Sequence, residues 1–218
     1  RDGKRVALFE QGARIRDEEF TCREIEMADA LYEDGGGFLT AQGTMTLAFG
    51  RAYGGSTVVY TGTSLIAPPR VISQWNVEGL THGDIEARSR KYMQQNNVHF
   101  LDDADINDNN RLFVEGARKA GYHAEQFPLN LKGCLGSSLC NLGCPNAAKQ
   151  GTHRVRLPAG GRAGGEVITR AEVLRIEGKA LRVRVSEPRA GEKGARSEWQ
   201  PGEYLVRAGT IVLGGGSI

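Results

Sequence analysis

The sequence predicts an α/β domain in which a β-meander feeds a buried parallel strand, and three observations carry that prediction. A short apolar run near the start, Lys4-Arg5-Val6-Ala7-Leu8-Phe9-Glu10, lacks the alternation of a half-exposed strand. From Glu166 to Arg207 apolar and polar residues alternate, interrupted by a charged loop. Directly after it, Thr210-Ile211-Val212-Leu213 is a second apolar run, which ends in Gly214-Gly215-Gly216. Unbroken apolar runs of this length suit strands covered on both faces, whereas alternation marks strands with one face in water.

Composition narrows the class further. The 218 residues suffice for one domain with a sizeable core. Thirty glycines are about 14% of the chain, roughly twice the usual ~7%, yet they have no three-residue period. Seven prolines and 25% charged residues argue against collagen-like and disordered classes. A formal charge of +2 calls for neither nucleic acid nor an acidic membrane as partner, and no apolar run approaches the ~18 residues of a membrane span. The chain opens at Arg1 without a signal-like segment, so a targeting sequence is expected to be absent or already removed. Because its last apolar run leads straight into glycines, the chain is expected to be an internal piece of a longer protein, incomplete at both ends.

The elements follow in order. Lys4–Glu10 reads as a buried parallel strand tipped by an acid, with Gly12 beyond it. An acid in that position of a dinucleotide-binding unit accepts hydrogen bonds from a ribose diol; the plain alternative is a solvated Glu at a strand end. Residues 35–64 are rich in Gly and Thr, notably Gly50-Arg51-Ala52-Tyr53-Gly54-Gly55-Ser56-Thr57. Such glycine density suits a loop whose backbone approaches a ligand; the plain reading is a tight turn before a strand at Val58–Tyr60. Residues 81–94 read as a helix capped by Thr81 with Asp84 in its first turn. A second helix spans Asn107–Ala120, most securely Asp108–Lys119, and is closed by Gly121. Its apolar residues Leu112, Phe113, Ala117 and Ala120 form one stripe, and Leu31, Leu65 and Ile66 are expected in the core. The alternating strands are Glu166–Thr169, Ala171–Glu177 and Ala180–Val185, with Gly178-Lys179 as a hairpin turn. Residues 187–201 form a charged loop before Glu203–Arg207 resumes the sheet.

Cysteine placement is the sharpest local signal. Cys134, Cys140 and Cys144 fall within eleven residues, and Cys144 is followed by Pro145. Gly136 and Gly143 allow the backbone between them to wrap a compact object, and three thiolates on one loop suit a soft metal centre. An iron–sulfur cluster, a zinc ion with His153 as a fourth ligand, a disulfide with one spare thiol, and a metal-free loop all remain open. Cys22 stands apart and reads as a small buried hydrophobe.

Taken together, these stretches resemble a known family. Gly50-Arg51-x-Tyr53-Gly54-Gly55-Ser56-Thr57 is similar to the first signature of the glucose–methanol–choline (GMC) flavoprotein oxidoreductases. The run Cys-x5-Cys-x3-Cys-Pro-Asn-Ala-Ala-Lys with Leu157-Pro158 resembles a bacterial dehydrogenase branch of it, and Val206 to Ile218 resembles its late FAD contact. The resemblance implies an FAD-binding, Rossmann-like domain of the glutathione-reductase type. Residues 1–64 and 160–218 would form the flavin-binding part, and 65–159 a helical, cysteine-bearing insertion toward a substrate domain. It implies that Glu10 holds the adenosine ribose and that Gly54, Gly55, Ser56 and Thr57 line the pyrophosphate and flavin. Val173 would meet the adenine through its backbone, and Gly214, Gly215 and Gly216 would sit near the pyrophosphate and ribityl chain. Where the family commonly has Asn near the flavin ring, this chain has Tyr60.

The family's catalytic His lies in a C-terminal segment, and none of His82, His99, His123 or His153 matches its motif; each reads as a surface or structural residue. The same resemblance implies oxidation of an alcohol or sugar CH–OH group with transfer of electrons to an external acceptor or electron-transfer subunit. A 3Fe-4S cluster on Cys134, Cys140 and Cys144 would be the relay. An oxygen-using oxidase and a non-catalytic, metal-stapled binding module are the alternatives.

Overall fold

The computed structural model describes residues 3–216. Five helices are present among them: α1 (Glu24–Leu31), α2 (Pro69–Gln74), α3 (His82–Gln95), α4 (Asp108–Lys119) and α5 (Thr152–Arg162). The strands are β1 (Ala7–Phe9), β2 (Phe38–Leu39), β3 (Thr46–Leu47), β4 (Val98–His99), β5 (Leu129–Asn130), β6 (Glu166–Ile168), β7 (Ala171–Glu177), β8 (Ala180–Val185) and β9 (Gly202–Arg207). None of these helices is long and apolar enough to cross a membrane.

β1 and β6 pair in parallel, Leu8 opposite Val167, and the N–H of Glu10 continues the ladder by donating to the carbonyl of Ile168. β7, β8 and β9 form the antiparallel meander. Its first hairpin turns on Gly178 at φ +61°, a left-handed value that glycine adopts without strain. Ile168, Ala171, Val183 and Val185 are buried between the meander and Phe9, with Trp199 and Tyr204 closing the edge. A second core lies under the glycine-rich loop, where Phe20, Met27, Leu31, Ala52, Val58 and Val59 pack together.

The two long helices form where their caps predict. Thr81 Oγ1 accepts the N–H of Asp84 at 3.1 Å, and Asn107 Oδ1 accepts that of Asn110 at 2.9 Å. Past α4, Gly121 takes φ +80°. The stripe on α4 is not buried, however: Leu112 and Phe113 are 67% and 72% exposed, because no other element among the described residues covers that face. Leu31 is fully buried as expected, whereas Leu65 is exposed and Ile66 half-buried.

Other expectations are corrected. β1 is a three-residue strand with Leu8 exposed, as is Val6 just before it, not a strand buried on both faces, since β6 is its one paired neighbour among the described residues. Thr210–Leu213 forms no strand; Val212 and Leu213 stand open, with no neighbouring strand among the described residues to pair with them. Val58–Tyr60 does not extend either, because Gly55–Val58 closes into a 3-10 turn. Arg1, Ser217 and Ile218 lie outside the described residues.

Gly143 ties the cysteine-bearing segment to the second core. It sits at φ +87°, and a Cβ there would come within 2.3 Å of the Phe20 ring. Gly143→Ala is therefore expected to lower the stability of the intact protein to urea by about 2 kcal/mol or more. In a double-mutant cycle with Phe20→Leu, the two losses should sum to more than the loss of the double variant.

Candidate functional site: the glycine-rich loop and its supports

The loop begins where two segments approach closely. A Cβ on Gly12 would lie 2.2 Å from the carbonyl oxygen of Arg51, so only glycine lets these backbones run side by side. Ala13 bridges Ala52 in parallel, and Tyr53 donates its N–H to the carbonyl of Ala13 at 2.9 Å. Arg14 lays its guanidinium 4.9 Å from the centre of the Tyr53 ring. This contact brings the tip of β1 beside the start of the glycine loop.

Gly54 and Gly55 then take φ +112° and +56°. Ser56 Oγ accepts the N–H of Gly50 at 3.0 Å. Thr57 Oγ1 donates to the carbonyl of Gly54 at 2.7 Å and accepts the N–H of Thr152 at 2.9 Å, which fastens the first turn of α5 beneath the loop. Both hydroxyls expected to line a cofactor are thus engaged in shaping the loop. Gly55 faces outward instead, with nothing within 4 Å of the position its Cβ would occupy.

Glu10 sits half-buried at the tip of β1, and its Oε1 accepts the N–H of Gly12 at 2.7 Å. Burial raises its pKa above the ordinary carboxylate value, partly offset by the Gly12 hydrogen bond and the nearby Arg51 charge. Ala171 donates its N–H to the carbonyl of Glu10, so Val173, exposed two residues further along β7, lies on the same side. The structure therefore links Glu10, Gly54–Thr57 and β7 through short contacts. It does not bring Gly214, Gly215 and Gly216 to them: these are exposed, and a Cβ on any of them would meet nothing within 4 Å.

Behind the loop lies His153, whose two ring nitrogens are buried without a hydrogen-bond partner among the described residues. A Cβ on Gly54 would lie 2.8 Å from that of His153, so the side chain fills the back of the loop. Burial, reinforced by the Arg154 and Lys149 cations, pushes its pKa down to about 4. The neighbouring Arg154 holds the Asp17 carboxyl below the usual range, chiefly by hydrogen bonding, with Nη2 to Oδ1 at 2.7 Å.

The cysteines are placed differently from one another. Cys134 is exposed, Cys140 half-buried and Cys144 buried; Cys134 Sγ accepts the N–H of Gly136, and Cys144 Sγ accepts that of Lys149. Among the described residues no three His, Cys, Asp or Glu side chains stand together as a ligand set. The three thiols thus form no ligand set in this structure, although Cys134 and Cys144 lie near enough to act on the Cys140 thiol, whose pKa is raised chiefly by burial. Cys22 is half-buried, at φ +62°. The flavin fits better: an acid at a strand tip, two left-handed glycines and open space beyond Gly55 are what the edge of a dinucleotide needs.

The model of the GMC oxidoreductase family matches residues 28–213. The chain belongs to this family. An uncharacterized GMC-type oxidoreductase of Mycobacterium tuberculosis is 34% identical over 207 residues, 86% of this chain and 31% of that protein. A long-chain-alcohol oxidase of Arabidopsis thaliana is 26% identical over 166 residues, 71% of this chain and 21% of that protein. An uncharacterized GMC-type oxidoreductase of Sinorhizobium fredii is 25% identical over 218 residues, 96% of this chain and 43% of that protein. The chain thus spans under half the length of each of these relatives. The GMC chain also uses residues that its sequence does not advertise: α5 and His153 support the signature loop, although Pro158 and two glycines conceal the helix.

His153 yields a pH prediction. Unfolded, its imidazole takes a proton near 6.5; folded, only near 4. The unfolded state thus binds more protons between these values, so stability falls as pH drops from 6.5 to 4 and is complete above 6.5. At ~1.4 kcal/mol per pKa unit the loss approaches about 3 kcal/mol. Urea midpoints of the intact protein should show this acid loss, and His153→Leu should remove most of it.

Proposed function

We propose that this chain is part of the FAD-binding region of an oxidoreductase acting on the CH–OH group of an alcohol, with electrons passed to an external acceptor. The observation that carries the reading is the loop Gly54–Thr57, bent by its own hydroxyls and open beyond Gly55, within a chain whose family is established. When bound, FAD would supply the ring that accepts the substrate hydride. The chain's own residues bind and orient it. Glu10 Oε1 is held by Gly12, leaving Oε2 for a ribose hydroxyl, while Val173 on β7 would meet the adenine through its backbone. Left-handed Gly54 and Gly55 let the backbone lie against the cofactor without an intervening Cβ. Sugars remain within the substrate class. The cysteine-bearing loop enters this reading as a structural support.

A second reading has a specific observation behind it. The Arabidopsis relatives are long-chain-alcohol oxidases, 26% and 22% identical, which favours oxygen as the acceptor and a long-chain alcohol as the substrate.

The test uses the intact protein. It should purify yellow, release FAD on denaturation, and be bleached anaerobically by an alcohol of suitable chain length. Dye reduction without oxygen uptake supports the external acceptor, whereas stoichiometric oxygen uptake supports the oxidase. Absence of any flavin binding rejects both. Gly55→Val places a branched side chain in the open space and costs about 1–2 kcal/mol at its left-handed φ. This variant should lose most of its flavin while remaining folded.

A further inference from the structure

Lys149 has no solvent exposure, yet it carries an ammonium group. Its Nζ donates to three carbonyl oxygens, those of Val58 at 2.7 Å, Tyr60 at 2.7 Å and Cys140 at 2.5 Å. All three protons of the ammonium are thereby used. The Tyr60 ring turns inward as well, its centre 5.6 Å from Nζ. Burial pulls the Lys149 pKa down to about 8, so the charged form still prevails at neutral pH. Taking an ammonium out of water is costly, and removing one side of its partnership is worse than replacing both sides by apolar groups, because a buried polar group is then left unpaired. A methionine could fill the same space without that burden, but it could not direct three carbonyls.

What the ammonium directs follows from peptide geometry. Every peptide bond among the described residues is trans, so the carbonyl of Tyr60 and the N–H of Thr61 point in opposite directions. Fixing that carbonyl on Lys149 turns the Thr61 N–H away from the core. Thr61 is exposed, and its N–H takes no hydrogen-bond partner among the described residues. Gly62 follows at φ +96°, where a Cβ would lie 2.7 Å from Asn130 Oδ1, so the chain beyond the donor is also held in one path. The far side is anchored too, since Asn130 donates its N–H to the carbonyl of Gly62.

We infer that Lys149 is a positioning residue for flavin binding: by holding the Tyr60 carbonyl, it presents the Thr61 N–H as a preset donor to a hydrogen-bond acceptor of bound FAD. This rests on the FAD reading above. Because the Tyr60 side chain packs inward over the ammonium, the backbone supplies the polar contact at this point of the loop. Lys149 itself never touches the cofactor; it acts through the peptide between Tyr60 and Thr61.

The experiment titrates FAD into the intact protein after removal of bound flavin, following flavin fluorescence and the position of the visible absorption bands. Two variants are compared with the wild type. Lys149→Met removes the ammonium at similar volume. Thr61→Pro removes the exposed N–H, along with the hydroxyl that faces Thr63 Oγ1, and leaves Lys149 and the residues of its three carbonyls unchanged. Both are expected to bind FAD at least tenfold more weakly, with absorption bands shifted toward those of free FAD. The Thr61→Pro protein should keep the wild-type melting temperature in the flavin-free state, a combination that a purely structural role would not produce. Wild-type affinity and spectrum in Thr61→Pro overturn the proposal, including in the event that Lys149→Met does not fold. Binding by the wild type with both variants unaffected rejects the positioning role alone, whereas a wild type that takes up no FAD rejects the functional reading with it.

Discussion

The ammonium of Lys149 joins two segments that lie about eighty residues apart, the end of the glycine-rich loop and the cysteine-bearing loop. A charge in so dry a place is tolerated only because each of its protons meets an oxygen. The same arrangement determines which way several peptides face, and the remaining supports of the loop are built outward from it. Thr57 clamps α5 beneath the loop, His153 fills the space behind Gly54, and Gly143 lets the cysteine-bearing loop close onto Phe20. Van der Waals packing alone would leave peptide orientations free to adjust; hydrogen bonds from a fixed cation leave little choice.

Much of the secondary structure could be read from local chemistry. Thr81 and Asn107 begin helices because their side-chain oxygens satisfy N–H groups that the first turn leaves unpaired, and those signals need no distant partner. The meander was equally open to reading, since alternation and the Gly178 turn are both local. The errors fall where a partner decides. Leu112 and Phe113 form a helical stripe whether or not anything covers it, and periodicity cannot distinguish the two cases. The runs at Lys4–Glu10 and Thr210–Leu213 are apolar enough for covered strands, but covering requires neighbours that the described residues do not supply.

The site was readable in part for a similar reason. Glu10 and the Gly54–Gly55 pair announce themselves by residue type, as an acid at a strand tip and glycines where the backbone turns left-handed. Ser56 and Thr57 have the residue types of ligand-lining positions, and no spacing encodes that their hydroxyls also bond the loop's own backbone. Helix α5 stayed hidden because Pro158, Gly160 and Gly161 are poor helix formers, and its contact with Thr57 is made across 95 residues. The cysteine spacing suggests a shared ligand set, but it does not encode that the three thiols differ in burial, one exposed, one intermediate and one buried.

Arg170 gives the meander a property that its own ladder lacks. It occupies a left-handed conformation at φ +52° immediately before β7, is almost wholly buried, and grips residues 192–195 through Glu192 and the carbonyls of Lys193 and Ala195. Antiparallel strands can in principle slide by two residues and keep the same faces buried. Here such a slip would draw the guanidinium away from three partners at once and leave it unpaired in the interior. The charged excursion between β8 and β9 therefore acts as a gauge of strand alignment, measuring the distance from the entrance of β7 to the return of β9 and admitting one setting.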